Sequence, residues 1–221
     1  MLEPRVLLST VALDPAGFID DPTYVLVGLA SCAGLAAFAE TLMRAEMQQR
    51  SDAVLDPLTG LLNRKALAGR FHEIAQQAAL TGQPICVVAL DLDHFKHVND
   101  EHGHARGDAV LKDTAYLLRK GLRSFELIYR LGGEEFLIVL PGVRVDEGRA
   151  IAERVRAGVE EAEPGGLPIT VSLGVAGAAG HDVAFEPLFR AADAALYEAK
   201  RRGCNRVVAD GDASELTAQA A

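Results

Sequence analysis

The chain has 221 residues, 49% of them hydrophobic, and a formal net charge of −9, enough for one main domain with its own core plus an appendage. The acidic balance excludes a binder of nucleic-acid backbones, which needs a concentrated basic surface to release counterions, so a nucleotide ligand would have to bring cations. Cys32, Cys86 and Cys204 are odd in number, far apart and without CxxC spacing, which points to a reducing compartment and gives no zinc signature.

In chain order, the first expected element is a helix. Residues 24–39 are uncharged and follow Asp20-Asp21-Pro22, but they fall short of the roughly 20 residues that cross a bilayer and are rich in alanine and glycine. The stretch reads either as a membrane span or as a buried soluble helix. Arg44 and Arg50 after it would keep the downstream domain in the cytosol by the positive-inside rule, and no basic segment with an A-x-A exit marks a cleaved leader. Leu35, Phe38, Leu42 and Ala45 keep a heptad-like spacing that Gln49 and Asp52 interrupt, which suits a short dimerising helix. Asp56-Pro57 is expected to stop it, because the residue before proline avoids the α region.

From Asp56 the chain alternates helix and strand signals. A turn over 56–64 feeds a helix with Leu67, Phe71, Ile74 and Ala78 on one face. A buried strand follows at 85–90, then a helix carrying Leu111, Ala115, Leu118 and Leu122. Apolar runs at 127–131 and 136–140 flank Gly132-Gly133-Glu134-Glu135, a hairpin signature, because glycines accept the positive φ of a tight turn. A helix with Ile151, Val155 and Val159, a strand at 169–175, a helix with Leu188, Ala192, Ala195 and Ala199, and an edge strand at 207–208 complete the order. This β-α-β-β-α-β succession implies an α+β fold: a ferredoxin-like or palm-type mixed sheet with helices packed on one face, preceded by the N-terminal helix. The expected divisions are 1–52 as an apolar signalling segment, 53–209 as the main domain and 210–221 as a polar, alanine-rich flexible tail.

Two strand ends carry acids. Asp91 closes the apolar strand and has no helix to cap, so its burial would be costly without a cation or donor; Asp93 precedes a helix and reads as its cap. Glu134 and Glu135 sit at the hairpin tip. Two carboxylates about 4 Å apart repel by roughly 4 kcal/mol at an effective dielectric of 20, a problem that a shared hard cation such as magnesium or manganese removes. Lys96 sits on the first turn after the strand, where an ammonium can meet phosphate or simply be solvated. Asn99 and Asp108 bracket a two-glycine loop; an amide with a carboxylate matches a guanine edge, and both residues equally suit helix caps. His102 and His104, without a third ligand, read as surface residues.

Taken together, Asp-Pro-Leu-Thr-Gly-Leu-Leu-Asn-Arg at 56–64, Asp-Leu-Asp-His-Phe-Lys-His-Val-Asn-Asp at 91–100, Gly103-His104 with Gly107-Asp108, Gly-Gly-Glu-Glu-Phe at 132–136 and Ala192-Asp193-Ala194-Ala195-Leu196-Tyr197-Glu198-Ala199-Lys200 resemble a GGDEF domain over about residues 53–209. The resemblance implies a diguanylate cyclase, which condenses two GTP into cyclic di-GMP and releases two pyrophosphates, active as a homodimer on a palm-like fold shared with adenylyl cyclases. It implies Asp91, Glu134 and the Leu92 carbonyl as ligands of Mg2+ or Mn2+, with Glu134 and Lys96 catalytic and Asn99, His104, Asp108 and Lys200 binding GTP. It implies a cytoplasmic catalytic domain, with attachment to the inner membrane through residues 24–39 an open alternative.

Three positions depart from the family pattern. Cys204 stands where an arginine is common, leaving a phosphate contact missing or supplied by Arg201 or Arg202. The product-inhibition motif Arg-x-x-Asp is here Arg123 with Glu126, a degenerate version whose longer acid shifts the geometry. His102 replaces the usual aromatic before Gly103. The alternative function is a catalytically silent domain that binds GTP or cyclic di-GMP, and the intact set Asp91, Lys96, Asn99, Asp108, Glu134 and Glu135 favours the enzyme over it.

Overall fold

Every residue of 85–92 is buried, because this strand is sandwiched between helices on both sides and all its side chains face a core. In the computed structural model, which describes residues 22–52, 54–123, 126–179 and 183–211, the chain divides into two units, Met1–Ala53 and Val54–Ala221.

The first unit holds helix α1 (Pro22–Asp52). It ends at Asp52, short of the Asp56-Pro57 stop. Leu26, Leu29, Leu35 and Phe38 are exposed and spread around its circumference rather than along one seam. The side chains of Arg44, Ala45, Gln49 and Arg50, on which the orientation and seam expectations rest, lie outside the described residues, as do residues 212–221 of the expected tail.

The second unit runs β1 (Leu62–Asn63), α2 (Arg64–Thr81), β2 (Ile85–Leu92), α3 (Phe95–His102), α4 (His104–Gly121), β3 (Leu127–Gly132), β4 (Glu135–Pro141), α5 (Val145–Ala162), a 3-10 turn (Pro164–Gly166), β5 (Val171–Ala178), α6 (Phe185–Arg201) and β6 (Val207–Ala209). The expected succession holds, with β1 added. α2 starts where it does because the Asn63 side chain accepts hydrogen bonds from the Lys65 and Ala66 amides at 3.0 and 3.1 Å, and it stops at Gly82, whose φ of 69° is cheap only for glycine.

The sheet order is β1-β3-β4-β2-β5-β6. Its four central strands are mutually antiparallel in ferredoxin-like order, and the edge strands β1 and β6 pair parallel to β3 and β5, which makes the sheet mixed. Helices cover both faces, not one as expected. Cys86, Val88, Leu90 and Leu92 face α4 and α5, whereas Ile85, Val87 and Ala89 face α2 and α6. The crossover helices of the β-α-β-β-α-β unit share one face; α2 and α6, which flank that unit, have amphipathic stripes of their own that need burial and take the other. Each fully buried Leu or Val in β2 gains about 2 kcal/mol on leaving water, so the middle strand is firmly held and its end is a rigid mount.

Candidate functional site

The acids at the end of β2 are positioned by strand register. On the α6 side of β2, Ala89 is followed by Asp91; along α6, Ala192 and Leu196 are followed one turn later by Lys200. The two series meet in an ion pair, Lys200 Nζ to Asp91 Oδ1 at 2.9 Å. The helix lies this close because Gly174 on β5, level with Ala89, has no Cβ: one would fall 2.1 Å from the Ala192 carbonyl oxygen and 2.2 Å from the Leu196 amide nitrogen.

Asp91 is only 6% exposed. Its burial drives the carboxyl pKa up, Lys200 draws it back through a hydrogen bond and its charge, and the charges of Glu134 and Glu135 push it up again, leaving it at about 6. Glu134 stands on the β3–β4 turn. Gly132 pairs with Glu135, and Gly133 at φ 51° with Glu134 forms the two-residue connection. The turn is fastened to β2, because Glu135 pairs with Asp91 and the Leu92 amide donates to the Glu134 carbonyl at 3.4 Å. One end of the sheet therefore gathers Asp91, Leu92, Glu134, Glu135 and Lys200.

Sequence reasoning passed over Arg130. Its guanidinium donates twice to the Gly133 carbonyl, at 3.1 and 2.8 Å, and once to Asp56 Oδ1 at 3.0 Å. Asp56 also accepts from the Thr59 amide and hydroxyl, and although burial pushes its pKa up, these two bonds together with the Arg130 bond and charge outweigh it and hold the carboxyl below its ordinary value. The 56–64 turn is thus clamped to the acidic hairpin tip. A charge inside the apolar run 127–131 was the signal that marked it.

Among the described residues, no three His, Cys, Asp or Glu side chains form a metal cage. The donors available at this end are the carboxylates of Asp91, Glu134 and Glu135 and main-chain carbonyl oxygen. That all-oxygen set fits a hard cation that keeps waters and takes further ligands from substrate phosphates, as magnesium commonly does. Asp91, buried with its ionised form raised in energy, is the observation that fits such a cation.

Asp93 does not cap a helix. The residue before α3 is His94, at φ 57° and with no side-chain capping bond. The Asp93 carboxylate accepts instead from the Thr170 hydroxyl at 2.7 Å, the Ser172 hydroxyl at 2.6 Å and the Asn205 amide at 3.0 Å. Its partners lie far along the chain, on or beside β5 and β6, so the local pattern of an acid before a helix pointed elsewhere.

Lys96, Asn99, His104 and Asp108 all belong to the α3–α4 pair. Residues 102–107 are not a loop: α3 ends at His102, Gly103 at φ 78° makes the break, and α4 begins at His104. Asp108 lies inside α4 and is exposed, so it caps nothing; Asn99 lies inside α3 and is half-buried. The Asn99 amide rests on Gly107, where a Cβ would come 2.0 Å from its Oδ1 and 3.2 Å from Phe95. Lys96 and His104 are exposed, and His102 Nε2 lies 3.6 Å from Glu101.

Beyond Lys200, Arg201 and Arg202 both pair with Glu198, at 3.7 and 2.8 Å. Cys204 and Asn205 take left-handed φ values of 60° and 48°, and the Asn205 side chain is held by Arg156 and Glu160 at 2.7 Å each. At the other candidate position, Glu126 is 8% exposed and its carboxylate accepts from the Arg123 amide at 2.6 Å; both residues line a groove of about 410 Å³ with Leu55, Gly60, Arg119 and Leu122. The acid is engaged by its own turn's main chain, while Ser124 and Phe125 lie outside the described residues.

Comparison with known proteins bears on this geometry. The family model described as diguanylate cyclase, GGDEF domain, matches residues 53–206. The chain is 44% identical to a diguanylate cyclase, DgcP, of Pseudomonas aeruginosa over 72% of its own length and 24% of that protein's. It is similar to the solved coiled coil and GGDEF domain of DgcB from Caulobacter crescentus in complex with c-di-GMP, with 34% identity and a TM-score of 0.67 over 81% of this chain and 97% of that one. It is also similar to the active GGEEF domain of a diguanylate cyclase from Vibrio cholerae, with 34% identity and a TM-score of 0.65 over 68% of this chain and 97% of that one. The chain spans between 24% and 40% of the length of the first curated relatives it matches.

Proposed function

The chain belongs to the GGDEF, diguanylate cyclase family, and on that premise we propose that it condenses two GTP into cyclic di-GMP with release of two pyrophosphates, dependent on Mg2+ or Mn2+ and active as a homodimer. The observation that carries this reading is the buried Asp91 carboxylate at the end of β2, beside a glycine turn that presents Glu134.

In this reading Asp91, Glu134 and the Leu92 carbonyl hold the cation. When bound, it neutralises phosphate oxygens and eases ionisation of the attacking hydroxyl. Glu134 takes the proton from the 3′-hydroxyl that attacks the α-phosphorus of the second GTP. Lys96 and Lys200 offset the charge that develops on the phosphates, and Asn99, His104 and Asp108 hold GTP, chiefly through guanine. Asn99 is prepared for that task by the missing Cβ of Gly107, which lets its amide approach α4 closely. Each domain binds one GTP, so two domains must face each other, and their orientation supplies part of the rate.

We also assign α1 to a membrane. Its span Leu26–Met43 has 18 residues, roughly 27 Å of helix against a hydrocarbon core of about 30 Å, with Glu40 as its only charge. Apolar residues around the whole circumference suit lipid better than a single dimer seam. Fractionation of cells into membrane and soluble material tests this; recovery in the soluble fraction would refute it.

The activity is tested by incubating the purified chain with Mg2+ and GTP and separating the products chromatographically. Cyclic di-GMP is expected, and Glu134→Gln is expected to lower its rate by about a hundredfold or more with the melting temperature little changed. Undiminished product from that variant would remove Glu134 from its role.

A further inference from the structure

Lys200 holds one oxygen of the carboxylate that a divalent cation would need. Its Nζ is 2.9 Å from Asp91 Oδ1, within direct ion-pair range, and a divalent cation on the same carboxylate would stand within about 5 Å of the ammonium, where the two positive charges repel. The two partners are unequal in freedom. The Asp91 side chain is 9% exposed and lies on the last rungs of a strand paired on both sides, whereas the Lys200 side chain is 41% exposed and sits in the last turn of α6 on a flexible four-carbon stem. When a second cation arrives, the lysine is the group that moves.

We propose that Lys200 is a built-in counter-ion that competes with the divalent cation for Asp91, so that metal affinity is set by how firmly α6 holds its ammonium against β2. The idea rests on the metal reading of Asp91 given above. It assigns Lys200 two successive partners: the carboxylate first, and the substrate triphosphate once the metal has taken the carboxylate. It also makes the close packing of α6 on Gly174 a determinant of metal affinity, because that contact sets the reach of Lys200. Arg201 and Arg202 cannot substitute, since both are turned to Glu198.

The test is Mn2+ binding to the full chain without nucleotide, followed by electron paramagnetic resonance, with melting temperature measured in parallel. Lys200→Gln is expected to bind Mn2+ about tenfold more tightly than the parent, as suits loss of a partly buried ion pair. Without metal, the same variant is expected to melt lower, and added Mn2+ to restore the difference. Lys200→Arg keeps a cation at the position and is expected to bind as the parent does. Arg201→Gln removes the same charge one residue along without touching Asp91, and its affinity is expected to change by less than about twofold. Equal or weaker binding by Lys200→Gln overturns the proposal, and so does an equal gain in Arg201→Gln, which would mean a general field and not a contact. If Asp91→Asn binds Mn2+ as tightly as the parent, the metal reading itself has failed, a result distinct from the other two.

Discussion

Asp91 shows how one side chain can trade stability for chemistry. The folded chain holds its proton up to about pH 6, while an unfolded aspartate releases it near 3.8, so between those values the native state binds more protons than the unfolded one. Stability from this group is therefore present below the lower value and is lost as pH rises through the upper one. Asp91→Asn removes the cost of the buried charge. It is expected to stabilise the metal-free chain by on the order of 1–2 kcal/mol at about pH 8 and to flatten the melting profile between the two pKa values, while abolishing product. A lower melting temperature for this variant under those conditions would mean that the Lys200 pair outweighs the burial cost. Asp93, two residues on, has a structural role: three donors satisfy it, and it ties β2 to β5 and to the turn before β6.

Among the elements, the fit of α6 on the sheet matters most, because it delivers Lys200. Gly174→Ala would drive a Cβ into the α6 backbone, which cannot step aside as a flexible side chain would. The expected cost is about 2–3 kcal/mol, read as a lower midpoint in urea, with turnover falling further than stability because Lys200 moves away from Asp91. If the variant melts and turns over like the parent, the helix is more loosely seated than the close approach indicates. The β3–β4 turn depends on a second element-level contact, Arg130 bridging Gly133 to Asp56. The hairpin itself was legible from its two glycines and flanking apolar runs. The clamp was not, because Asp56 and Arg130 are 74 residues apart and no local pattern pairs them.

At the scale of the whole molecule, the proposed reaction needs two copies. Turnover per chain is expected to rise with protein concentration and then level off, because each domain supplies one GTP. On vesicles, a membrane-bound α1 confines the copies to one surface and raises their effective concentration, so deleting residues 1–50 is expected to move the half-maximal concentration upward by about tenfold or more. Specific activity unchanged at low concentration would show that α1 does not control pairing. The two-faced sheet also belongs to this scale. A β-α-β-β-α-β succession fixes which strands can be neighbours, but α2 and α6 lie outside that unit, and the side they take depends on the apolar surface left uncovered.

By itself, the order of residues determined the strands, the helices, the glycine turn and the placing of Asp91 and Glu134 at strand ends, since these follow from periodicities of two and 3.6 and from the few residues that tolerate positive φ. Only the tertiary structure decided what those ends meet. Lys200 reaches Asp91, Thr170 and Ser172 satisfy Asp93, and Asn99 lies against Gly107 because sheet order and helix seating bring distant segments together. Such contacts are set by the packing of whole elements, and a linear pattern carries no measure of that packing.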